Sequence, residues 1–369
     1  MEIVLASRAD AVAVLRRALD GEVVAGFVPE GASQRYVDAL RPDVPVTEPG
    51  AAVIVATSGS TGEPKGVVLS RDAIAASVTA THARLGGAGE WVCPLPVEHV
   101  AGMMTVARGI LGGLGVRFVR GDLADLPTPD DRAYVSVVPA QLHRALADDA
   151  LSARLARYFA VLVGGSAIPA GLLDGARERG IRAVTTYGMS ETCGGCVYDG
   201  LPLDGVRVDI GPDERINLAG PMVFSGYRLD PDRTRDVLRD GVVRTHDRGR
   251  LVNGRLRVLG RVDDVVISGG TNVDLAAAQR VADRIWGVTE DTRVVLLALD
   301  DERWGARIVA VTDSPLTLDE IDTALSRHLE AAALPREVRR AALPPVALAG
   351  KIDRAAMRAI WEDSDGECR

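Results

Sequence analysis

Residues 57–66 read "TSGSTGEPKG", directly behind the apolar run "AAVIVA" at 51–56. The run has the composition of a buried strand. The chain leaves it through six residues that are only Thr, Ser or Gly, and then sets Pro64 and Lys65 in place. Serial backbone N–H groups in such a loop form an anion-binding nest, the hydroxyls add donors, and the lysine adds full charge. The stretch therefore reads as a backbone that closes around a phosphate or a similar anion.

Two familiar phosphate loops do not fit. The P-loop pattern G-x-x-x-x-G-K-S/T needs a hydroxyl residue after its lysine to hold magnesium, whereas Lys65 stands between Pro64 and Gly66. The Gly-rich loop of protein kinases requires His-Arg-Asp and Asp-Phe-Gly elements downstream, and neither follows.

The remainder of the chain bounds the answer. A length of 369 residues predicts two or three domains with a substantial core. A hydrophobic content of 47% and a charged content of 25% are those of a soluble globular protein. The net charge of −8 argues against nucleic acid or an anionic membrane surface as the partner. The amino terminus lacks a signal-peptide layout, and the longest uncharged run, 158–173, is too short and too Gly-broken to span a bilayer. A cytoplasmic location is expected, and a homo-oligomer stays open. Cys93, Cys193, Cys196 and Cys368 form no disulfide framework. Cys193 and Cys196 make a C-x-x-C with no second pair at metal spacing, and small residues packing a tight turn is the expected reading.

Up to about residue 250 β-rich runs alternate with helical ones, an α/β signature. Strands are expected at 51–57, 91–95, 115–120, 134–138, 160–164 and 183–186, and helices at 71–85, 99–113, 139–148 and 169–179. Residues 205–260 change to short alternating runs with turn residues, a small antiparallel unit. "GRVDD" at 260–264 interrupts, and a mixed unit follows with strands 293–299 and 306–312 and helices 318–332 and 353–362. The expected architecture is a large α/β amino-terminal domain, 1–260, of mixed layers plus the small β unit, and a smaller α+β domain, 261–369.

Two hydroxyl residues, Gly, two hydroxyl residues, Gly, one free position and Pro-Lys-Gly is a ten-position string. It resembles the phosphate loop of the AMP-forming acyl-CoA synthetases, the adenylating enzymes. The resemblance extends in chain order over residues 57–354. "YGMSE" at 187–191 matches a motif in which Tyr187 and Gly188 line adenine and acyl group, Ser190 contacts phosphate and Glu191 holds Mg2+. The family usually has Thr where Ser190 stands, and the hydroxyl is retained. "RTHDRG" at 244–249 offers Asp247 to the ribose hydroxyls, with His246 in place of the usual small residue. In "GRVDD", Arg261 would reach ribose or phosphate, and Asp263 would be the hinge of a mobile carboxy-terminal lid. Gly269 and Gly270 in "ISGGT" (267–271) would help shape the CoA tunnel. "AGKIDR" at 349–354 supplies Lys351, the adenylation lysine, although "PPVAL" before it departs from the family pattern.

The resemblance implies ATP binding by Thr57, Ser58, Gly59, Ser60, Thr61, Gly62 and Lys65, with Gly165 and Ser166 against adenine or acyl chain. His99 would stand beside the acyl pocket. Catalytic roles would fall to Lys351, Glu191 and His99; ATP, Mg2+ and CoA would be required. Only about 50 residues precede the phosphate loop, which together with "PLPVEHVAGM" (94–103) resembles the short actinobacterial type. That type implies an aryl acid with a second, spectator carboxylate, of the 2-succinylbenzoate kind. The alternatives are another aryl or fatty acid, transfer to a carrier protein instead of CoA, and a non-catalytic adenylate-binding protein.

Overall fold

The apolar run behind the phosphate loop is buried because it is the middle of a sheet. In the computed structural model, which describes residues 1–29, 31, 34–58, 64–287, 293–343 and 354–363, residues 51–56 are all at most 3% exposed. The strand Ala51–Ser58 runs parallel to Val24–Phe27, which is parallel to Ile3–Ala6. On its other side it pairs antiparallel with Pro64–Ser70, Thr57 opposite Lys65 and Ser58 opposite Pro64. The stretch thus connects two antiparallel strands, whereas a P-loop joins a strand to a helix. Its residues Gly59, Ser60, Thr61 and Gly62 lie outside the described residues. The short strand Gly226–Tyr227 closes this sheet against Pro64–Ser70.

Among the described residues the strands form four sheets. The second has five parallel strands, Val116–Phe118, Glu90–Cys93, Ala133–Val137, Ala160–Val163 and Ala183–Met189, with Gly194–Tyr198 and Leu201–Pro202 antiparallel at one edge. Helices Arg71–Arg84 and Val100–Leu111 contribute to the core between the first two sheets. Helices Pro139–Leu146, Asp149–Leu155 and Ala170–Glu178 pack on the opposite face of the second sheet. Local chemistry sets the helix starts: the Ser70 side chain accepts from Ala73 N, and Pro139 occupies a first helical position.

The third sheet is the antiparallel unit expected from the sequence, Arg207–Ile210, Arg215–Ala219, Leu238–Arg239, Val242–Val252 and Arg255–Arg261. The chain then passes through the 3-10 turn Val262–Asp264 into a fourth sheet. This contains the hairpin Val265–Ser268/Thr271–Asp274, the pair Val294–Asp301/Gly305–Thr312 and the edge Val338–Arg340. One of its faces packs on helices Leu275–Trp286 and Leu318–Leu325, and the other meets Met357 and Trp361 of Arg354–Asp363.

Three expectations change. The expected helix 318–332 stops at Leu325: the chain turns, forms the 3-10 turn Ala331–Ala333 and leaves Leu334 extended ahead of Pro335. The strand expected at 183–186 continues to Met189, because Gly194–Tyr198 folds back on it with Gly195 opposite Gly188. Tyr187 and Gly188 therefore lie in a strand. "ISGGT" belongs to a hairpin, with Gly269 and Gly270 at its tip at φ 59° and 79°, the left-handed pair of a tight two-residue turn.

Candidate functional site

The segment Tyr187–Glu191 sends one side chain into each of two polar clusters. In the first, Glu191 sits on the 3-10 turn Ser190–Thr192, 8% exposed. Lys65 Nζ donates to its Oε1 at 2.9 Å, and the Tyr227 hydroxyl donates to the same oxygen at 2.7 Å. Lys65 Nζ also lies 2.7 Å from the Tyr227 hydroxyl and 4.1 Å from the centre of its ring. Burial alone would push the Glu191 carboxyl up. The Lys65 ammonium and the hydrogen bonds from Lys65 and Tyr227 outweigh it, so the carboxyl stands below its ordinary range. Burial and the neighbouring Glu191 carboxylate hold the Tyr227 phenol far above its usual value. Lys65 is a hydrogen-bonded cation at the base of the loop, and Glu191 is an anion at neutral pH.

This cluster suits magnesium. Mg2+ takes one or two protein carboxylates, keeps waters and completes its shell with substrate phosphate oxygens. Glu191 is an ionised carboxylate aimed by two donors that both use Oε1. Among the described residues no group of three or more His, Cys, Asp and Glu forms a metal cage.

In the second cluster the Tyr187 hydroxyl donates to Asp247 Oδ2 at 2.8 Å. Burial and Asp247 both push the Tyr187 phenol well above its ordinary value. Arg261 places Nη1 3.6 Å from Asp247 Oδ1 and donates from Nη2 to Asp263 Oδ2 at 2.8 Å. His246 Nδ1 lies 3.3 Å from Asp263 Oδ1. Asp247 pairs with Arg261 and Arg248 with Gly260 across the strands Val242–Val252 and Arg255–Arg261, which accounts for the meeting of Asp247 and Arg261. A carboxylate able to accept two hydroxyls, with an arginine beside it, fits a ribose and its phosphate.

The other expected positions fall around these clusters. After strand Ala160–Val163, Gly165 adopts φ 89°, and the Ser166 hydroxyl is buried with no partner. A Cβ on Gly164 would lie 2.2 Å from Thr186 Oγ1, so the glycine permits the loop to pass against Ala183–Met189. His99 is exposed at the start of Val100–Leu111 and makes no capping bond. Its turn lies beside the strand that leads to the phosphate loop, because the Tyr36 hydroxyl reaches both Ala56 O at 3.3 Å and Glu98 O at 3.2 Å. Ser190 opens the Glu191 turn and accepts from Cys193 N. Thr57 spends its hydroxyl on Lys65 O at 3.5 Å. The tip glycines Gly269 and Gly270 stand on the fourth sheet, Gly269 N donating to Trp304 O at 2.9 Å. Lys351 lies outside the described residues. Cys93, Cys193 and Cys196 are buried free thiols; burial pushes Cys93 up to about 11, Cys196 to about 12 and Cys193 further, so none is a thiolate at neutral pH.

Two residues escaped the sequence reading. Tyr227, in "FSGYRLD" (224–230), belongs to no string that the motifs supply. Arg108 is the only charge in the apolar stretch 100–111, a signal that was available. It is 4% exposed, its guanidinium stands 5.0 Å over the Trp91 ring, and its Nε has no hydrogen-bond partner. Val100 and Met104, on the same helical stripe, lie against Gly194 just after the Glu191 turn.

A lysine paired with a buried carboxylate, and an acid beside an arginine on the antiparallel unit, form an arrangement that fits a nucleotide. The chain belongs to the AMP-binding enzyme family, whose model matches residues 4–252. It is 40% identical over 325 residues to a probable 2-succinylbenzoate–CoA ligase of Mycobacterium tuberculosis, covering 83% of each chain. It is 32% identical over 318 residues to the 2-succinylbenzoate–CoA ligase of Escherichia coli, covering 82% of this chain and 67% of that one. Among solved structures, the o-succinylbenzoate coenzyme A synthetase of Bacillus subtilis in complex with ATP and magnesium ion matches at a TM-score of 0.82. It is 20% identical, with 97% of this chain and 88% of that one covered, a likeness of fold.

Proposed function

We propose that the protein activates 2-succinylbenzoate with ATP and transfers it to CoA. The observation that carries this reading is the placement of Tyr187–Glu191, one five-residue segment that serves both polar clusters. The similarity to 2-succinylbenzoate–CoA ligases supports the choice of acid.

In the first step a carboxylate oxygen of the acid forms a bond to the α-phosphorus of ATP, the bond from that phosphorus to the bridging oxygen breaks, and pyrophosphate leaves. The stretch 57–66 and Lys65 hold the phosphates, and Asp247 and Arg261 fix the ribose, so the reaction depends on positioning and charge. Bound at Glu191, Mg2+ would supply positive charge to the phosphate oxygens. We assign Lys351 to the charge that develops on the α-phosphate. In the second step the CoA sulfur forms a thioester bond to the acyl carbon, the mixed-anhydride C–O bond breaks, and AMP leaves. No protein nucleophile is required, in keeping with the buried, un-ionised Cys93, Cys193 and Cys196. We take residues 261–369 as a lid that turns near Asp263 between the steps, with Gly269 and Gly270 then beside the CoA path. His99 would border the acyl group.

The acid carries a second carboxylate, and we assign its partner to Arg108, a buried cation for which no carboxylate partner is found among the described residues. No described helix is long and apolar enough to cross a membrane; the similarity to 2-succinylbenzoate–CoA ligases supports small-molecule substrates.

The test is acid-dependent pyrophosphate release. The wild-type protein should release pyrophosphate with 2-succinylbenzoate and form a CoA thioester, and Lys351→Ala should reduce the release by about 100-fold or more. Release with benzoate or a fatty acid and none with 2-succinylbenzoate would overturn the choice of substrate.

A further inference from the structure

Tyr227 belongs to none of the motifs that identify the site, yet its hydroxyl is bonded to both charged groups of the first cluster. A phenol has one proton to donate and lone pairs to accept. Here the proton goes to Glu191 Oε1 at 2.7 Å, and Lys65 Nζ approaches the phenol oxygen at 2.7 Å. Both Tyr227 and Lys65 use Oε1 of Glu191, so Oε2 is engaged by neither. The ring is held from its own side of the fold. Tyr227 N donates to Thr234 Oγ1 at 2.8 Å, its backbone pairs with Val67, and Phe224 meets the ring edge-on at 5.0 Å. The hydroxyl is therefore aimed by the ring's own packing and by the pairing of its strand with the one that carries Lys65, while Phe224 N donates to Glu191 O at 2.9 Å.

We infer that Tyr227 is a positioning residue for the metal–nucleotide complex. It fixes the Glu191 carboxylate by one oxygen, leaving the other to the divalent cation, and it holds the Lys65 ammonium at the base of the phosphate loop. The inference rests on the reading of Glu191 as the magnesium carboxylate. It makes Lys65, Glu191 and Tyr227 one unit, contributed by positions 65, 191 and 227 on three separate elements. An un-anchored carboxylate would be free to rotate, and Lys65 would be free to bridge both of its oxygens. Removal of the hydroxyl should therefore weaken the response to metal before it weakens anything else.

Tyr227→Phe is the variant of choice, because it keeps the ring and its packing on Phe224 and Lys65. ATP binding is measured calorimetrically with and without Mg2+, in the absence of the acid so that no turnover intervenes. The hydrogen bond to a charged acceptor sets the scale, and the factor by which Mg2+ tightens ATP should fall about tenfold. Binding of metal-free ATP and the melting temperature should stay close to wild type. A wild-type magnesium factor in Tyr227→Phe overturns the inference. So does equal weakening of ATP with and without Mg2+, accompanied by a lower melting temperature, since this is the signature of a packing role. Glu191→Gln is run in parallel. If it also keeps the full magnesium factor, the assignment of Glu191 fails and the inference with it. If it loses the factor while Tyr227→Phe keeps it, only the role of Tyr227 is lost.

Discussion

Arg108 lies among apolar, small or hydroxyl neighbours on its helix: Gly102, Met103, Met104, Thr105, Val106, Ala107 and Gly109 are all buried with it. Its stacking on Trp91 is worth about 0.5–2 kcal/mol. Burial of an ion costs several kcal/mol even after the protein relaxes around it. An acidic ligand group beside Arg108 would offset that cost. Arg108→Met separates the two roles, since it keeps volume and removes charge. We expect the melting temperature to hold or rise, the KM for 2-succinylbenzoate to increase about tenfold or more, and the KM for ATP to stay unchanged. Steady-state kinetics with each substrate varied provides the check. An unchanged KM for the acid would leave Arg108 with a packing role only.

At the scale of elements, the antiparallel pair Ala183–Met189/Gly194–Tyr198 positions the site. A Cβ on Gly188 would lie 2.0 Å from Gly194 O and 2.7 Å from its carbonyl carbon. Both are backbone atoms of the paired strand, so no side chain can rotate away. Gly188→Ala should therefore pry the pair apart, lowering stability by about 1–3 kcal/mol or more and weakening ATP binding as Tyr187 and Glu191 shift. Gly171→Ala is the contrast: a Cβ there meets nothing within 4 Å, and the residue is helical. It should be neutral or stabilise by about 0.4–1 kcal/mol. Thermal melts and calorimetric ATP titrations of the two variants test the difference; similar behaviour would mean that the strand pairing does not govern the site. This pair also shows what was legible in the sequence. Apolar strands such as Ala51–Ser58 could be read directly, and the family resemblance singled out Glu191 and Asp247, which the structure holds in two polar clusters. Gly194–Tyr198 could not, because "GGCVY" has neither alternation nor β-branched bulk until its end. Nor could Tyr227, whose value comes from the meeting of sheet edges far apart in sequence. The helix expected to run to 332 stops at Leu325, although Leu329 keeps the apolar spacing beyond it.

At the scale of the whole molecule, Arg248 makes a direct polar tie between the antiparallel unit and the fourth sheet with its helices. It donates from Nη2 to Glu214 Oε2 at 2.6 Å on its own side and from Nη1 to Asp274 Oδ2 at 3.0 Å on the other. Asp274 uses its second oxygen to cap the helix Leu275–Trp286 through Ala277 N, so loss of Arg248 leaves that cap intact. If residues 261–369 turn between the two half-reactions, the tie must break in one direction and form in the other. It then stabilises one arrangement only. Arg248→Ala removes a partly buried ion pair worth about 1 kcal/mol, or roughly fivefold in the balance between arrangements. Acid-dependent ATP–pyrophosphate exchange reports the first half-reaction. Thioester formation from preformed acyl adenylate reports the second. The ratio of the two rates should move severalfold, because the arrangement that loses the tie is disfavoured and the other gains. A rigid molecule would show both rates changed by the same factor, and that result would remove the case for a lid that turns at Asp263.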